Sequence, residues 1–340
     1  MPSSIFPITS FARGTSKWED YLLVPTPFEL LEGVWFKRED QFAPLGYGGV
    51  NGAKLRQLIW LVLRELDPHK TELLSGASVK SPQISMSAVV GAYYGLRPRL
   101  ILGGTRPDSA LQHHNVEIAS RFGAKFRIEP VGYNPHLQSV VKKETKKHSV
   151  VVEYGVTVPH HFAPEGGLGL FEGGGNRVLW QFSELGANQV AGIPKHIQTL
   201  YVPAGSCNTL VGVLLGLQKH QHNVRRVVSL GIGPDKCRWV RERLQCLGVS
   251  PDNLTHEWEH VSLHDAGFCT YQTEMPAAWA GVEFHPTYEG KLINWLSKNR
   301  PFKQDGTECF WIVGSKPSMA VLEKFAITPQ QSTLPLLSEC

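Results

Sequence analysis

The sequence is short of charge and short of paired cysteine. Of its 340 residues only 19% are charged, below the roughly 25% usual for globular chains. Set beside 42% hydrophobic residues, that scarcity excludes a disordered or coiled-coil protein. The six cysteines (Cys207, Cys237, Cys246, Cys269, Cys309 and Cys340) never form a C-x-x-C pair, which argues against a zinc ribbon or a thioredoxin-type redox motif. No apolar run reaches the roughly 18 residues of a membrane span, so no membrane partner is expected. Met1 to Pro7 carry neither a basic start nor a long apolar stretch, so the expected location is the cytoplasm, with reduced thiols. A Walker loop, a G-x-G-x-x-G fingerprint and any internal repeat are all missing, which leaves P-loop, nicotinamide Rossmann and solenoid architectures unsupported. The net charge of +4 is mild, and a duplex-DNA binder with a concentrated basic stripe is not required by it.

What is present is an alternation of strand-like and helix-like segments. Leu73-Leu74, Arg99 to Leu102, Lys125 to Ile128, Thr199 to Val202, Arg226 to Leu230 and Cys309 to Val313 read as strands. Between them, Ile84 to Tyr94, Val116 to Phe122 and Thr209 to Gln218 read as helices. Such alternation is the signature of βα units around mainly parallel sheets, and the fold class expected is doubly wound α/β.

Three glycine-containing stretches stand where chemistry could occur. In the first, Gly46 to Gly52 opens into a helix whose apolar positions Leu55, Leu58, Ile59 and Val62 follow helical spacing. Lys54 then falls in the first turn, where the helix dipole disfavours a cation and eases loss of its proton. A neutral amine is what capture of an aldehyde requires; an ordinary exposed lysine is the alternative. The second, Pro203 to Thr209, lies between a strand and a helix, where small residues let backbone N–H groups converge on an anion. A simple tight connection would look the same. The third runs from Pro164 through Gly166, Gly167, Gly169 and Gly173 to Asn176 and suggests close backbone approach to a ligand or another segment. His256-Glu257-Trp258-Glu259-His260 matches the zincin pattern H-E-x-x-H, but its surroundings allow little helix. Without a helix the two histidines cannot jointly hold zinc, so no metal site is expected.

Taken in order, four motifs resemble those of the fold type II pyridoxal-phosphate enzymes, in the branch of aminocyclopropane-carboxylate deaminase and D-cysteine desulfhydrase. Lys37-Arg38-Glu39-Asp40 with Gly49 to Arg56 is similar to K-R-E-D…G-G-N-K-x-R-K-L. Val79-Lys80-Ser81-Pro82-Gln83 stands in place of I-Q-S-N-Q/H, Ala204 to Thr209 in place of T-G-S-G-G-T, and His285 to Lys291 in place of D-P-V-Y-E/T-G-K. The resemblance implies a tryptophan synthase β-like pair of parallel-sheet domains, the larger from residues 1–54 plus 161–340 and the smaller from 55–160. It also implies pyridoxal 5′-phosphate as cofactor, with Lys54 as the Schiff-base lysine. Ala204, Gly205, Ser206, Cys207, Asn208 and Thr209 would hold the phosphate. Glu289 would lie near the pyridine nitrogen, where a carboxylate strengthens the electron sink. Ser81 and Gln83 would lie near the substrate carboxylate, and Tyr288 would face the substrate as accessory acid or base.

The departures fall in the pocket. Pro82 replaces an asparagine and offers no amide donor; Asn51 and Asn176 are the candidates to substitute. Phe268 stands where the deaminases place a substrate-facing tyrosine, with Tyr271 close but displaced. The main functional expectation is therefore a pyridoxal-phosphate lyase or deaminase cleaving a bond at Cα of a small amino acid. A second is decarboxylation or lysis of an amino acid attached to thymine in bacteriophage DNA, which would place the protein in the host cytoplasm. Basic stretches at Lys142 to His148 and Lys219 to Arg226 would then contact phosphates. A third is a non-catalytic binding protein, against which the joint presence of Lys54, Tyr288 and Glu289 argues. The resemblance also implies a homodimer.

Overall fold

The structure is a computed structural model that describes residues 18–44, 49–158, 177–318 and 321. The larger of its sheets has six strands, in the order Phe28–Leu31, Val34–Arg38, Glu308–Ile312, Thr199–Pro203, Arg226–Gly231 and Glu257–Ser262. Only the first pair is antiparallel; the remaining ladders are parallel. A second sheet has four parallel strands, in the order Lys125–Glu129, Arg97–Gly103, Glu72–Ser78 and Ser149–Val152. The fold is thus the α/β class expected, with parallel sheets linked by helices.

The apolar strand runs are explained by cover on both faces. Successive strand side chains point to opposite sides, and here they enter two different cores. Leu200, Val202, Val227, Cys309 and Trp311 join one cluster, whereas Tyr201, Val228, Leu230, Phe310 and Ile312 join another. All five residues of Glu308–Ile312 are buried, and deleting a ring such as that of Phe310 would cost about 3–5 kcal/mol. Helices Arg177–Ala187 and Asn208–Lys219 pack closely because Gly212 faces Gly186. A Cβ on Gly212 would lie 2.8 Å from the Gly186 Cα.

Glu257 to His260 lie in strand Glu257–Ser262 of the larger sheet, and His256 immediately precedes it. Residues four apart on a strand are separated by about 13 Å, so these two imidazoles cannot share an ion. The stretch Pro164 to Asn176 lies outside the described residues.

Candidate active site

Lys54 is the second residue of helix Ala53–Glu65, whose N-cap Gly52 has φ +97°. A side chain at Gly52 would place its Cβ 2.2 Å from the Val313 carbonyl oxygen, so glycine is required for the contact. The next residue uses that contact: Ala53 N donates to Val313 O at 2.9 Å. Arg56 anchors the same helix from below, fully buried, donating to Leu22 O and Val24 O with its guanidinium 4.0 Å from the Phe42 ring centre. Lys54 is held in place but unpaired. Among the described residues no hydrogen bond or ion pair engages its amine. Burial, with the Lys236 cation as a smaller cause, brings its pKa down from 10.5 to about 8.

Strand Thr199–Pro203 ends beside this lysine. The chain turns through residues 204–207 into helix Asn208–Lys219, with Cys207 in the left-handed region at φ 69°. Among the described residues, the backbone N–H groups of Gly205 to Thr209 meet no acceptor. They are bare donors at a helix N-terminus, where the dipole adds a positive end. Lys236 Nζ donates to Gly205 O at 2.6 Å and brings a cation to the rim. Burial raises the Cys207 thiol to about 11, so it remains a thiol at neutral pH.

Helix Glu289–Asn299 supplies the third wall. Glu289 is buried, accepts from Val313 N at 3.1 Å, and has its pKa raised to about 8, first by burial. Its carboxyl is therefore largely protonated at neutrality. The neighbouring Tyr288 hydroxyl lies 2.6 Å from that of Tyr271 and is also hydrogen-bonded to Ser81. Burial pushes both phenols above their ordinary range. Lys291, fully buried, donates to the carbonyls of Thr270 and Tyr271 at 2.8 and 3.1 Å and fixes the Tyr271 backbone.

These walls enclose one cleft, lined among others by Lys54, Gly205, Thr209, Tyr288, Glu289 and Gly314. It lies at the carboxyl ends of Thr199–Pro203, Glu308–Ile312 and Glu72–Ser78, where open parallel sheets commonly present ligand sites. No protein-family model matches the chain. Its sequence is 33% identical to the O-seryl-dTMP PLP-dependent decarboxylase of Salmonella phage ViI, across 98% of this chain and 90% of that protein. The chain belongs to the fold type II pyridoxal-phosphate enzymes. A D-cysteine desulfhydrase of Salmonella typhimurium is 24% identical across 88% of this chain and 94% of its own length. Among solved structures, an ACC deaminase homologue superposes with a TM-score of 0.60 at 19% identity, covering 89% of this chain and 93% of that one. Maize serine racemase gives a TM-score of 0.51 at 12% identity, covering 94% and 96%. The two structural likenesses bear on the fold alone.

The cleft fits a pyridoxal phosphate by its own chemistry. A phosphate needs unpaired donors, an aldehyde needs a deprotonatable amine, and a pyridine nitrogen needs an acid; all three line the same space. Gly205 adds room, since a Cβ built there meets nothing within 4 Å.

Not every residue expected at the site faces it. Gln83 is fully buried and fully engaged: its amide donates to Ser75 Oγ and Glu153 O and accepts from Gly155 N. It pins the turn after Ser149–Val152 and is not among the cleft residues. Asn51 donates to Gly49 O and accepts from Ser315 N, so its side chain fastens two loops, and it is not among the cleft residues. Phe268 packs in the second core beside Lys298, 5.8 Å from its ring, and is not among the cleft residues. Asn208 turns its amide to Gly155 O and Val156 O, tying the cradle to the smaller sheet. Ala204 is buried beneath the turn. Ser81 caps helix Pro82–Tyr93 by accepting from Gln83 N.

Sequence reasoning left out Gln57, Met86 and His285, which line the cleft, and Lys236 and Lys291, which act on its rim and support. His285 and Lys291 stand inside the fourth motif, and that position was the available signal. Lys236 offered none.

Proposed function

We propose that this enzyme removes the α-carboxylate of an amino acid carried on a thymidylate and leaves a primary amine. The observation that carries this reading is the 33% identity over 98% of the chain with the phage ViI decarboxylase, against 24% with D-cysteine desulfhydrase. Loss of carbon dioxide from an O-seryl group breaks the Cα–carboxylate bond and leaves the electron pair at Cα. A proton then takes the carboxylate's place, giving an O-(2-aminoethyl) group. Pyridoxal phosphate, when bound, supplies an aldehyde that takes up amines and a ring that accepts that electron pair.

The protein's part is to bind, orient and move protons. The bare N–H groups of Gly205 to Thr209 would hold the phosphate. Lys54, with its pKa brought down to about 8, is the amine that would hold the cofactor's aldehyde. Glu289, protonated up to about pH 8, offers a proton to the pyridine nitrogen. Decarboxylation needs no resting base at Cα but does need a proton donor. The Tyr271–Tyr288 pair suits that task, because burial keeps both protons on their oxygens.

A deaminase or lyase would use the same residues, with free Lys54 as base. Reconstituted protein offered O-seryl-thymidylate, D-cysteine and aminocyclopropane-carboxylate separates the two. Release of carbon dioxide with retention of nitrogen supports decarboxylation. Ammonia and a keto acid from either small amino acid, with no carbon dioxide from the thymidylate, would replace it with the lyase reading.

A further inference from the structure

Beside the cleft lies a second, smaller pocket that shares His285 as a common wall. Lys80, His113, His114 and Lys316 line it, with Glu274 as the one carboxylate among the described lining residues. Glu274 is spent on Lys80, at 3.4 Å, and its side chain is 56% exposed. Lys316 is exposed, and among the described residues no acid or acceptor engages its amine. His114 Nε2 lies 2.7 Å from the Pro317 carbonyl, which only accepts, so that nitrogen carries the proton.

Burial and the two lysines push the histidines of this pocket toward their neutral form. Burial lowers the basicity of His113, with Lys80 as a further cause, and lowers that of His114, with Lys316 adding to it. His285 falls to about 4, from burial and then from the positive charges of Lys316, His114 and Lys291. Two ammonium groups, Lys80 and Lys316, beside imidazoles that can offer N–H donors, with one partly exposed carboxylate among the described lining residues, suit an anion seated between them. A free α-amino acid brings only its carboxylate, and that group must reach Cα chemistry inside the main cleft. A second anion site next door therefore fits a substrate with another negative group some distance from its amino acid.

We propose that this side pocket seats a phosphate of the substrate: the 5′-phosphate of a free thymidylate, or a backbone phosphate beside a modified thymine in DNA. The proposal rests on the thymidylate reading above.

Binding to the holoenzyme tests it directly. Thymidine 5′-monophosphate, thymidine and a short thymine-containing DNA strand are titrated by calorimetry at low and moderate salt. At least one phosphorylated probe should bind about tenfold or more tightly than thymidine, as charge-assisted contacts to phosphate imply. Lys316→Glu, at an exposed position, and His113→Gln should erase that advantage while thymidine affinity and the cofactor's absorbance stay unchanged. If the advantage belongs to the mononucleotide, the free nucleotide is the source; if it belongs to the strand, with a Lys316-dependent salt slope, DNA is the source. Equal binding of all three probes, or an advantage that survives both substitutions, overturns the proposal. Turnover separates this failure from failure of the decarboxylase reading. O-seryl-thymidine decarboxylated as efficiently as O-seryl-thymidylate would sink the phosphate seat alone. A Lys316-dependent phosphate advantage without any decarboxylation would sink the reaction and leave the seat standing.

Discussion

The hydroxyl of Tyr271 sits 2.6 Å from that of Tyr288, although the two residues arrive from different segments. Removing the Tyr288 oxygen deletes the phenol that lines the cleft. Tyr288→Phe should lower kcat by about a hundredfold or more, the usual worth of a positioned acid. Tyr271→Phe should lower it by about tenfold, since it removes only a supporting hydrogen bond. Single-turnover kinetics on reconstituted protein check both, and unchanged rates in Tyr288→Phe would remove Tyr288 from the mechanism.

The proposed mechanism makes Lys54 the covalent anchor. Borohydride treatment of the holoenzyme should fix the cofactor on the peptide containing Lys54, as read by mass spectrometry. Lys54→Ala should show no adduct yet retain the cofactor non-covalently, because the donors at Gly205 to Thr209 are untouched. An adduct on any other lysine would reassign the site.

The two groups titrating near neutrality give opposite pH signatures. Glu289 is protonated in the folded protein up to about 8, whereas the unfolded chain ionises near 4.5. The folded state thus binds more protons in that interval, and stability falls as pH rises through it, by no more than about 1.4 kcal/mol per unit from this group. Lys54 is neutral above about 8 when folded but stays charged to 10.5 when unfolded, so its contribution rises with pH over that later window. Urea midpoints of the cofactor-free protein should show the first slope flatten in Glu289→Gln and the second in Lys54→Met.

Lys291 positions Tyr271 through two backbone carbonyls. Lys291→Met should lower kcat about as much as Tyr271→Phe, and the double variant should lose little more than either alone. Fully additive losses would show that the two act separately.

Cys207 holds φ 69° where the related motif has glycine. A left-handed residue with a side chain costs about 1–2 kcal/mol. Cys207→Gly should leave thermal stability unchanged or raised with cofactor affinity intact. Cys207→Val, β-branched, should lose both; equal behaviour of the two variants would show the strain is absent.

The fold was legible wherever one strand carried its own signal. Arg226 to Leu230 and Cys309 to Val313 are apolar runs because cores cover both faces, and that condition is written locally. The turn of bare N–H donors after Thr199–Pro203 was legible too, since a strand, a small-residue turn and a helix adjoin in sequence. Gln83 misled because its partners Ser75, Glu153 and Gly155 come from other elements, and a polar residue near a motif looks the same whether it meets ligand or protein. Tyr271 was seen but left aside for the same reason. Its place depends on Lys291, whose burial no local pattern announces.

The backbone of Val313 takes part in both halves of the cleft: its carbonyl accepts from Ala53 N, beside Lys54, and its own N–H donates to Glu289. Two adjacent peptide planes that meet at the Val313 Cα therefore set the spacing between the amine and the acid. Rings wider or narrower than the natural one would meet one group and miss the other, so the enzyme should discriminate sharply against cofactor analogues altered across that axis.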